Sequence, residues 1–432
     1  MTRTLCTPVV RLLSALLLAG LLLVTSCHSG DDSDDLDADV LPAVTIPVAA
    51  AFQTGLPVLT ITTPDSLAVT SKTEWLTDAQ VTLQTTDGTT ALQTQGAIRG
   101  RGNVSWQRYS KKSYNLKLDI RESLLGMAPA KRWVLLANWA DRTLLRNDVA
   151  FECSRRTSLR WTPASTPVEL VLNGVYRGSY LLCEKVQVDR HRLDIDVMTA
   201  ADEDDETITG GYLLEIDEHF DEAHKFRSAV YRLPYQFREP DDDVLTERQF
   251  YYMADYVESL ERSLANDKAL RAGDYEAWID AQSFADWWIV NEFCHNVDAA
   301  KPRSFFVYKP RGGRLTAGPV WDFDFCTFTL LDDIYIASRF PYLHRLFQSP
   351  RFLALARQRW ALLRPQLETL PDYIDRRAAV VRASAANNIQ MWPITATKNQ
   401  DEQLSFDEAV ERMKQSVPLR LSVIDRFLAE TH

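Results

Sequence analysis

Gly318-Pro319-Val320-Trp321-Asp322-Phe323-Asp324-Phe325 is the stretch on which the reading of this chain turns. Gly-Pro interrupts whatever precedes it. The residues that follow alternate acid with aromatic. In a strand, residues two apart share a face. The alternation therefore predicts Asp322 and Asp324 side by side, with Trp321, Phe323 and Phe325 on the opposite face. Two neighbouring carboxylates in an aromatic setting repel each other, and each carries a desolvation cost. They require a cation, a shared proton or a basic partner. Upstream, Asn296 and Asp298 repeat the two-residue spacing of oxygen groups, and Ser304 to Tyr308 between the two sites reads as a short β-run. The order is helix, polar turn, strand, Gly312-Gly313 turn, strand. It brings three carboxylates and an amide within reach of one pocket. The same spacing also suits acids that cap a turn through backbone N–H groups.

The chain has 432 residues, 46% apolar and 25% charged, which is the composition of a globular protein of one large domain or two. A formal net charge of −11 argues against nucleic acid as a partner. Arg3 and Arg11 precede and open an apolar run from Leu12 to Val24, too short for a comfortable membrane span and suited to a signal peptide. The run ends Val24-Thr25-Ser26-Cys27, which resembles a bacterial lipobox. Residues 1–27 are thus expected to be a lipoprotein signal peptide, with Cys27 lipidated and the chain anchored at the outer membrane or cell surface. Residues 28–45 read as a flexible acidic tether. Their acidic tract resembles the surface-export signals of Bacteroidota lipoproteins. Cys153, Cys183, Cys294 and Cys326 sit among apolar neighbours, make no C-x-x-C pair and read as buried thiols.

Period-two patterns dominate the first half and period-3.6 patterns the second. Residues 40–95 read as strands with turns at Gly55, Pro64-Asp65 and Asp87-Gly88. Arg99-Gly-Arg101-Gly-Asn103 is a Gly-rich turn carrying two cations, and Lys111-Lys112 opens the next strand. A Gly-rich turn beside cations suits polyanion binding, and equally a hairpin with exposed basic residues. Lys131 to Asn138 is a strand, and a helix follows that Asp141 can cap and that carries Glu152. Asn173-Gly174 between two apolar runs is a hairpin signal. Glu184-Lys185 ends that hairpin where a hinge is expected. Gly210 to Asp217 is another strand. Helices are expected from Thr246, over 275–295 with Asp280 or Ser283 starting its second part, and over 341–384 and 404–430. A β-rich lobe over 46–240 then meets a helical lobe over 241–432, with acid groups at the junction.

Eight segments carry a resemblance over roughly residues 55–330: Arg99-Gly-Arg-Gly-Asn with Lys111-Lys-Ser-Tyr; Trp133-Val-Leu-Leu-Ala-Asn with Leu144-Leu-Arg-Asn; Val168 to Gly178; Gly210-Gly-Tyr-Leu-Leu-Glu-Ile-Asp; Asn296-Val-Asp; and Gly318-Pro-Val-Trp-Asp-Phe-Asp. Together they resemble the CotH-type spore-coat kinase family. That resemblance implies an α+β, atypical protein-kinase-like bilobal fold that binds ATP with Mg²⁺ or Mn²⁺ and phosphorylates Ser/Thr of exported or surface proteins. Asp298 then matches the catalytic-loop Asp and Asp322 the metal-binding Asp. Asp324 and Ser304 are expected as further metal ligands. Lys112 or Lys111 is expected on the α/β-phosphates, Arg99 or Arg101 near the terminal phosphate, and Glu152 paired with that lysine. Glu184 is expected at the cofactor's hinge side. A protein kinase has Asn five residues after the catalytic Asp; this chain has Arg303, followed by Ser304. Two other readings stay open: a surface binding protein on a kinase-like scaffold without chemistry, and a glycosidase using paired carboxylates.

Overall fold

The computed structural model describes residues 41–394 and 399–432. The expected signal peptide, the expected anchor at Cys27 and residues 28–40 of the expected tether lie outside the described residues. Among the described residues no helix is long and apolar enough to cross a membrane. The architecture is mixed α+β.

The period-two segments form seven strands: β1 (Val58–Thr62), β2 (Leu76–Gln84), β3 (Thr90–Arg101), β4 (Ser113–Glu122), β5 (Ala130–Leu136), β6 (Ser165–Leu172) and β7 (Val175–Glu184). They close into a barrel in the order β1-β2-β3-β4-β5-β7-β6. Closure comes from β1, which pairs antiparallel with β2 and parallel with β6. Alternate residues, among them Ile61, Val81, Ile98, Leu116, Trp133, Leu170 and Leu182, fill the barrel. The other face of β3, β4 and β5 carries Arg99, Arg101, Asn115, Lys117 and Arg132. Asn173 and Gly174 have φ of 51° and 72°, the conformation a two-residue hairpin of the expected type requires.

The short helix α1 (Val104–Arg108) packs back on the Gly-rich turn. A Cβ at Gly100 would stand 2.3 Å from the Trp106 ring. The glycine at 100 is therefore explained by indole packing, with no anion needed. Helix α2 (Arg146–Arg155) begins later than the Asp141 cap predicts, because Leu144 takes φ 58°. Asp141 instead accepts the N–H groups of Thr143 (2.9 Å) and Arg146 (2.8 Å).

A second sheet runs β12-β11-β8-β10-β9, from β8 (Tyr212–Ile216), β9 (Lys225–Arg227), β10 (Pro234–Glu239), β11 (Phe305–Lys309) and β12 (Thr316–Ala317). β8 pairs with β10 on one side and β11 on the other. The change of hydrophobic period near 240 therefore does not separate the strands of this sheet. Helices α3 (Glu247–Ala265), α4 (Asp267–Ala272), α5 (Ala281–Phe293), α6 (Ile336–Arg339), α7 (Pro341–Leu346), α8 (Pro350–Leu367), α9 (Leu370–Met391) and α10 (Phe406–Glu430) complete the chain. Thr246 caps α3 in a reciprocal box with Gln249, and Asp280 caps α5 through the Ser283 N–H at 3.1 Å. α5 is buried on nearly every side, Trp287 and Trp288 included.

Helix α9 ties the helices to the barrel. Trp392 Nε1 donates to the Arg177 carbonyl at 2.9 Å. The Lys111 ammonium donates to the carbonyls of Ala137 (2.9 Å) and Ser179 and to Asn388 Oδ1 (2.8 Å), and lies 4.2 Å from the Tyr180 ring centre. An ammonium has three donors, so the protein uses them all, and burial brings Lys111 down to about 7. The expectation that Lys111 grips phosphates is corrected here: its charge is a buried staple between barrel and α9. Replacing it by Met keeps the bulk and strands three acceptors. Lys111→Met should lower unfolding stability in urea by roughly 1–3 kcal/mol, with any nucleotide-induced stabilisation retained.

Candidate active site

The segment 318–325 is not a strand. Its backbone turns at Asp322, which takes φ 67°. Trp321 and Phe323 are still driven into the core, with Trp321 against Phe151 at a ring separation of 5.8 Å. The left-handed turn, and not strand alternation, sends Asp322 outward into a cleft. Distant side chains hold the turn in place. Asn147 Oδ1 accepts the Phe323 N–H at 2.8 Å. Asn399 Nδ2 donates to the Asp324 carbonyl at 2.8 Å, and Arg146 Nε to the Thr327 carbonyl at 3.1 Å. Arg146 is itself fixed by the buried acids Asp141 and Asp401.

The opposite acid comes from the turn after α5. There Asn296 Nδ2 donates to Asn291 Oδ1 at 3.1 Å and reaches the Asp322 carbonyl at 3.5 Å, which links the two acidic segments. Asp298 lies 3.5 Å from the Arg303 guanidinium, which also holds Glu218. Ser304 follows, its N–H on Asp217 Oδ2 at 2.9 Å.

These groups line one cleft of about 720 Å³ between the barrel and the second sheet. Of the expected site residues, Asp298, Asp322, Asp324, Ser304, Arg99, Arg101 and Lys111 border it. Lys112, Glu152 and Glu184 do not. Lys112 bonds the Trp106 carbonyl. Glu152 pairs with Arg155 on its own helix and with Arg156 just past the helix end, and touches no lysine. Glu184 is buried, accepts the Ala164 N–H at 2.9 Å and lies 3.9 Å from Arg192. The cation facing the acids is Arg101, bonded to Asn115 Oδ1 at 3.3 Å and packed 5.2 Å over the Trp321 ring.

Four acids lining the cleft were missed, Asp221 and Glu222 among them. Glu215 and Asp217, two apart on and just after β8, line the same cleft. The alternation used for Asp322 and Asp324 was legible there too. Burial and Asp217 push Glu215 up to about 7, against the pull of Arg238 and Arg101. Burial likewise raises Asp217 and Asp298. Asp322 is exposed to the cleft but ringed by protein. Desolvation, then Asp298, lift it to about 6, with Arg101 opposing. Asp324 is held far above the carboxylate range by burial and by Asp322. Tyr109, stacked on Trp139 at 4.6 Å, is pushed up by burial and by all three aspartates.

Among the described residues no group of three or more His, Cys, Asp and Glu side chains is arranged to hold a metal ion unaided. What the cleft offers is two facing carboxylate segments, carrying Asp298 and Asp322, with Asp298 Oδ1 buried 3.5 Å from the Arg303 guanidinium. That donor set fits Mg²⁺ or Mn²⁺, which is commonly held by one or two carboxylates while substrate phosphates and water complete its shell.

A family model described as CotH kinase protein matches residues 98–424, most of the chain. No curated protein matches.

Asp322 gives a sign-definite pH prediction. Its folded value of about 6 lies above the ordinary 3.8. Its contribution to stability is complete below 3.8 and is lost as pH rises through about 6. Without added metal, Asp322→Asn should therefore melt above wild type at about pH 7.5, with the gain vanishing by about pH 4. Differential scanning calorimetry at the two pH values checks this.

Proposed function

The chain belongs to the CotH kinase protein family, and from that premise we propose that the cleft is the active site of a metal-dependent phosphotransferase. Its donor is ATP and its acceptor is a Ser or Thr hydroxyl of an exported or surface protein. The observation that carries this reading is the meeting of Asp298 and Asp322, 24 residues apart around the β11–β12 hairpin, on one cleft that also holds Arg101. Phosphoryl transfer needs that combination: a carboxylate to orient the attacking hydroxyl, a metal carboxylate, and cations for the phosphate oxygens.

Supporting a bilobal, kinase-like arrangement, the barrel strands run β3-β4-β5-β7-β6 with α2 inserted between β5 and β6. Residues for the cleft come from this barrel on one side and from the second sheet and helical half on the other. Asp298 accepts or orients the acceptor proton. Asp322 and Asp324 would hold Mg²⁺ or Mn²⁺, which supplies charge neutralisation across the phosphates. Arg101 and Arg99 are the phosphate-facing cations, taking the part first read onto Lys111 and Lys112. Asn147, Asn399 and Arg146 keep the Asp322 turn in register. An anchor at Cys27 would place this activity at the outer membrane or cell surface, on protein substrates of that compartment.

The second reading, a binding protein without chemistry, is favoured by Arg303, which sits five residues after Asp298 and pairs with it where a protein kinase has a metal-binding Asn. The two separate in one assay. Purified protein is incubated with ATP, Mn²⁺ and a Ser/Thr-rich polypeptide, and phosphate incorporation is read by mass spectrometry. The kinase reading expects incorporation that falls by roughly 10²–10⁴-fold in Asp298→Asn, with ATP affinity retained. No incorporation by wild type, together with ATP-independent peptide binding that survives loss of Asp298 and Asp322, would favour the binding protein.

A further inference from the structure

Beside the acidic cleft, and sharing Arg99, Asn115, Glu222 and Arg238 with it, lies a smaller cavity of about 240 Å³. Its wall is set by strand register. Lys117 of β4 stands opposite Arg132 of β5, and Arg99 of β3 opposite Asn115 of β4. All four therefore share the outer face of the barrel. Lys185 enters from the segment after β7, and Arg238 from β10 across the gap. Trp75 and Phe237 supply apolar lining.

The charges in this cavity are only partly answered. Arg238 is paired with Glu222 and lies 3.6 Å from Glu215. Arg132 has only a loose contact with Asp241, at 3.9 Å. Arg99 donates to the Thr73 carbonyl and lies 4.6 Å from the Trp75 ring centre, but has no acid, and its Nε is buried with no acceptor. The Lys185 carbonyl accepts from Arg192 at 3.1 Å, but among the described residues its ammonium has no hydrogen bond and no salt bridge. Burial, then Arg132 and Arg238, depress it to about 7, with Glu239 alone opposing among its closest charges. Collecting like charges in a desolvated pocket costs stability. A neutral ring would fill the space and leave that cost in place, whereas a doubly charged anion removes it.

We propose that this cavity is a phosphate-recognition site, which takes a phosphate group between Lys185, Arg132 and Arg99, either as free phosphate or as a phosphate ester. The site shares Arg99 with the cleft of the phosphotransferase reading, whereas Lys185 and Arg132 line this cavity and not the acidic cleft, so variants at those two test it apart from that reading. If that reading holds, a ligand spanning both cavities carries an anionic group at each end. Arginine forks and a lysine point charge suit such an oxyanion.

The test uses the full chain with three probes: inorganic phosphate, adenosine and ATP, each without divalent metal, by isothermal titration calorimetry and thermal shift. The proposal expects saturable phosphate binding that weakens by about tenfold or more in Lys185→Met and in Arg132→Met, the weight of one charge-assisted contact. Asp322→Asn, which leaves the cavity intact, should keep phosphate affinity. Displacement of phosphate by ATP and not by adenosine would assign the site to a phosphate ester; displacement by neither would assign it to the free anion. Lys185→Met removes a cation with no hydrogen bond, so its melting point at neutral pH should match or exceed wild type, which keeps the variant folded for the comparison. Adenosine displacing phosphate competitively would overturn the proposal, because the cavity would then be a purine site. So would phosphate binding that is absent in wild type, or equal in both cation variants and wild type.

Discussion

The rest of this site depends on the enforced closeness of Asp298, Asp322 and Asp324, each raised above the ordinary carboxylate range by burial, and Asp322 and Asp324 also by neighbouring acids. Nothing in the hydrophobic effect brings carboxylates together, and separated in water they would be lower in energy. The fold imposes the arrangement. Trp321 and Phe323 are buried on either side of Asp322, so the acid between them has only the cleft to face. Asn147, Asn399 and Arg146 hold the backbone of that turn from three directions. Across the cleft, Asn296 and the pairing of Arg303 with Asp298 fix the second segment. Each clamp satisfies backbone or charge that would otherwise be buried alone, and together they hold a repulsion the sequence could have avoided. Such stored cost is what a bound cation relieves.

The two sides of the cleft are kept in register by different means. On the barrel side, closure through β1 and β6 makes a rigid wall, and the staple from Lys111 to Asn388 ties that wall to α9. On the other side, β8 lies between β10 and β11 and so connects Glu215 and Asp217 to the hairpin that separates Asp298 from Asp322. Asp217 also receives the Ser304 N–H, which joins the sheet to the turn carrying Asp298. The site is therefore built from chain segments far apart in sequence, resting on two sheets.

How much of this was legible in the sequence varied with the range of the interaction. The strands of the barrel, the Asn173-Gly174 turn and the caps at Thr246 and Asp280 are local, and their residues announce them. The union of Asp298 with Asp322 followed from short spacing around one hairpin. The backbone of 320–325 was misread because Asp322's φ is set by Asn147 and Asn399, residues that no local pattern connects to it. Lys111 and Lys112 were misassigned for the same reason. An ammonium's direction depends on its acceptors, and one of those of Lys111 is 277 residues away. Glu152 looked poised to pair with a lysine, but Arg155 and Arg156 stand within reach at the end of its own helix and take it. Glu215 and Asp217 are a different case: their alternation was visible, but Gly210 to Asp217 was read only as a strand.

Among the described residues no group of three or more His, Cys, Asp and Glu side chains is arranged to hold a metal unaided, so the central claim reduces to a conditional affinity. Electron paramagnetic resonance of Mn²⁺ titrated into the purified protein, with and without ATP, tests it most directly. The account predicts weak Mn²⁺ binding alone, strong binding once ATP supplies phosphate oxygens, and loss of that gain in Asp322→Asn. Mn²⁺ held equally well with and without nucleotide, or a nucleotide-dependent gain that persists without the Asp322 carboxylate, would contradict it.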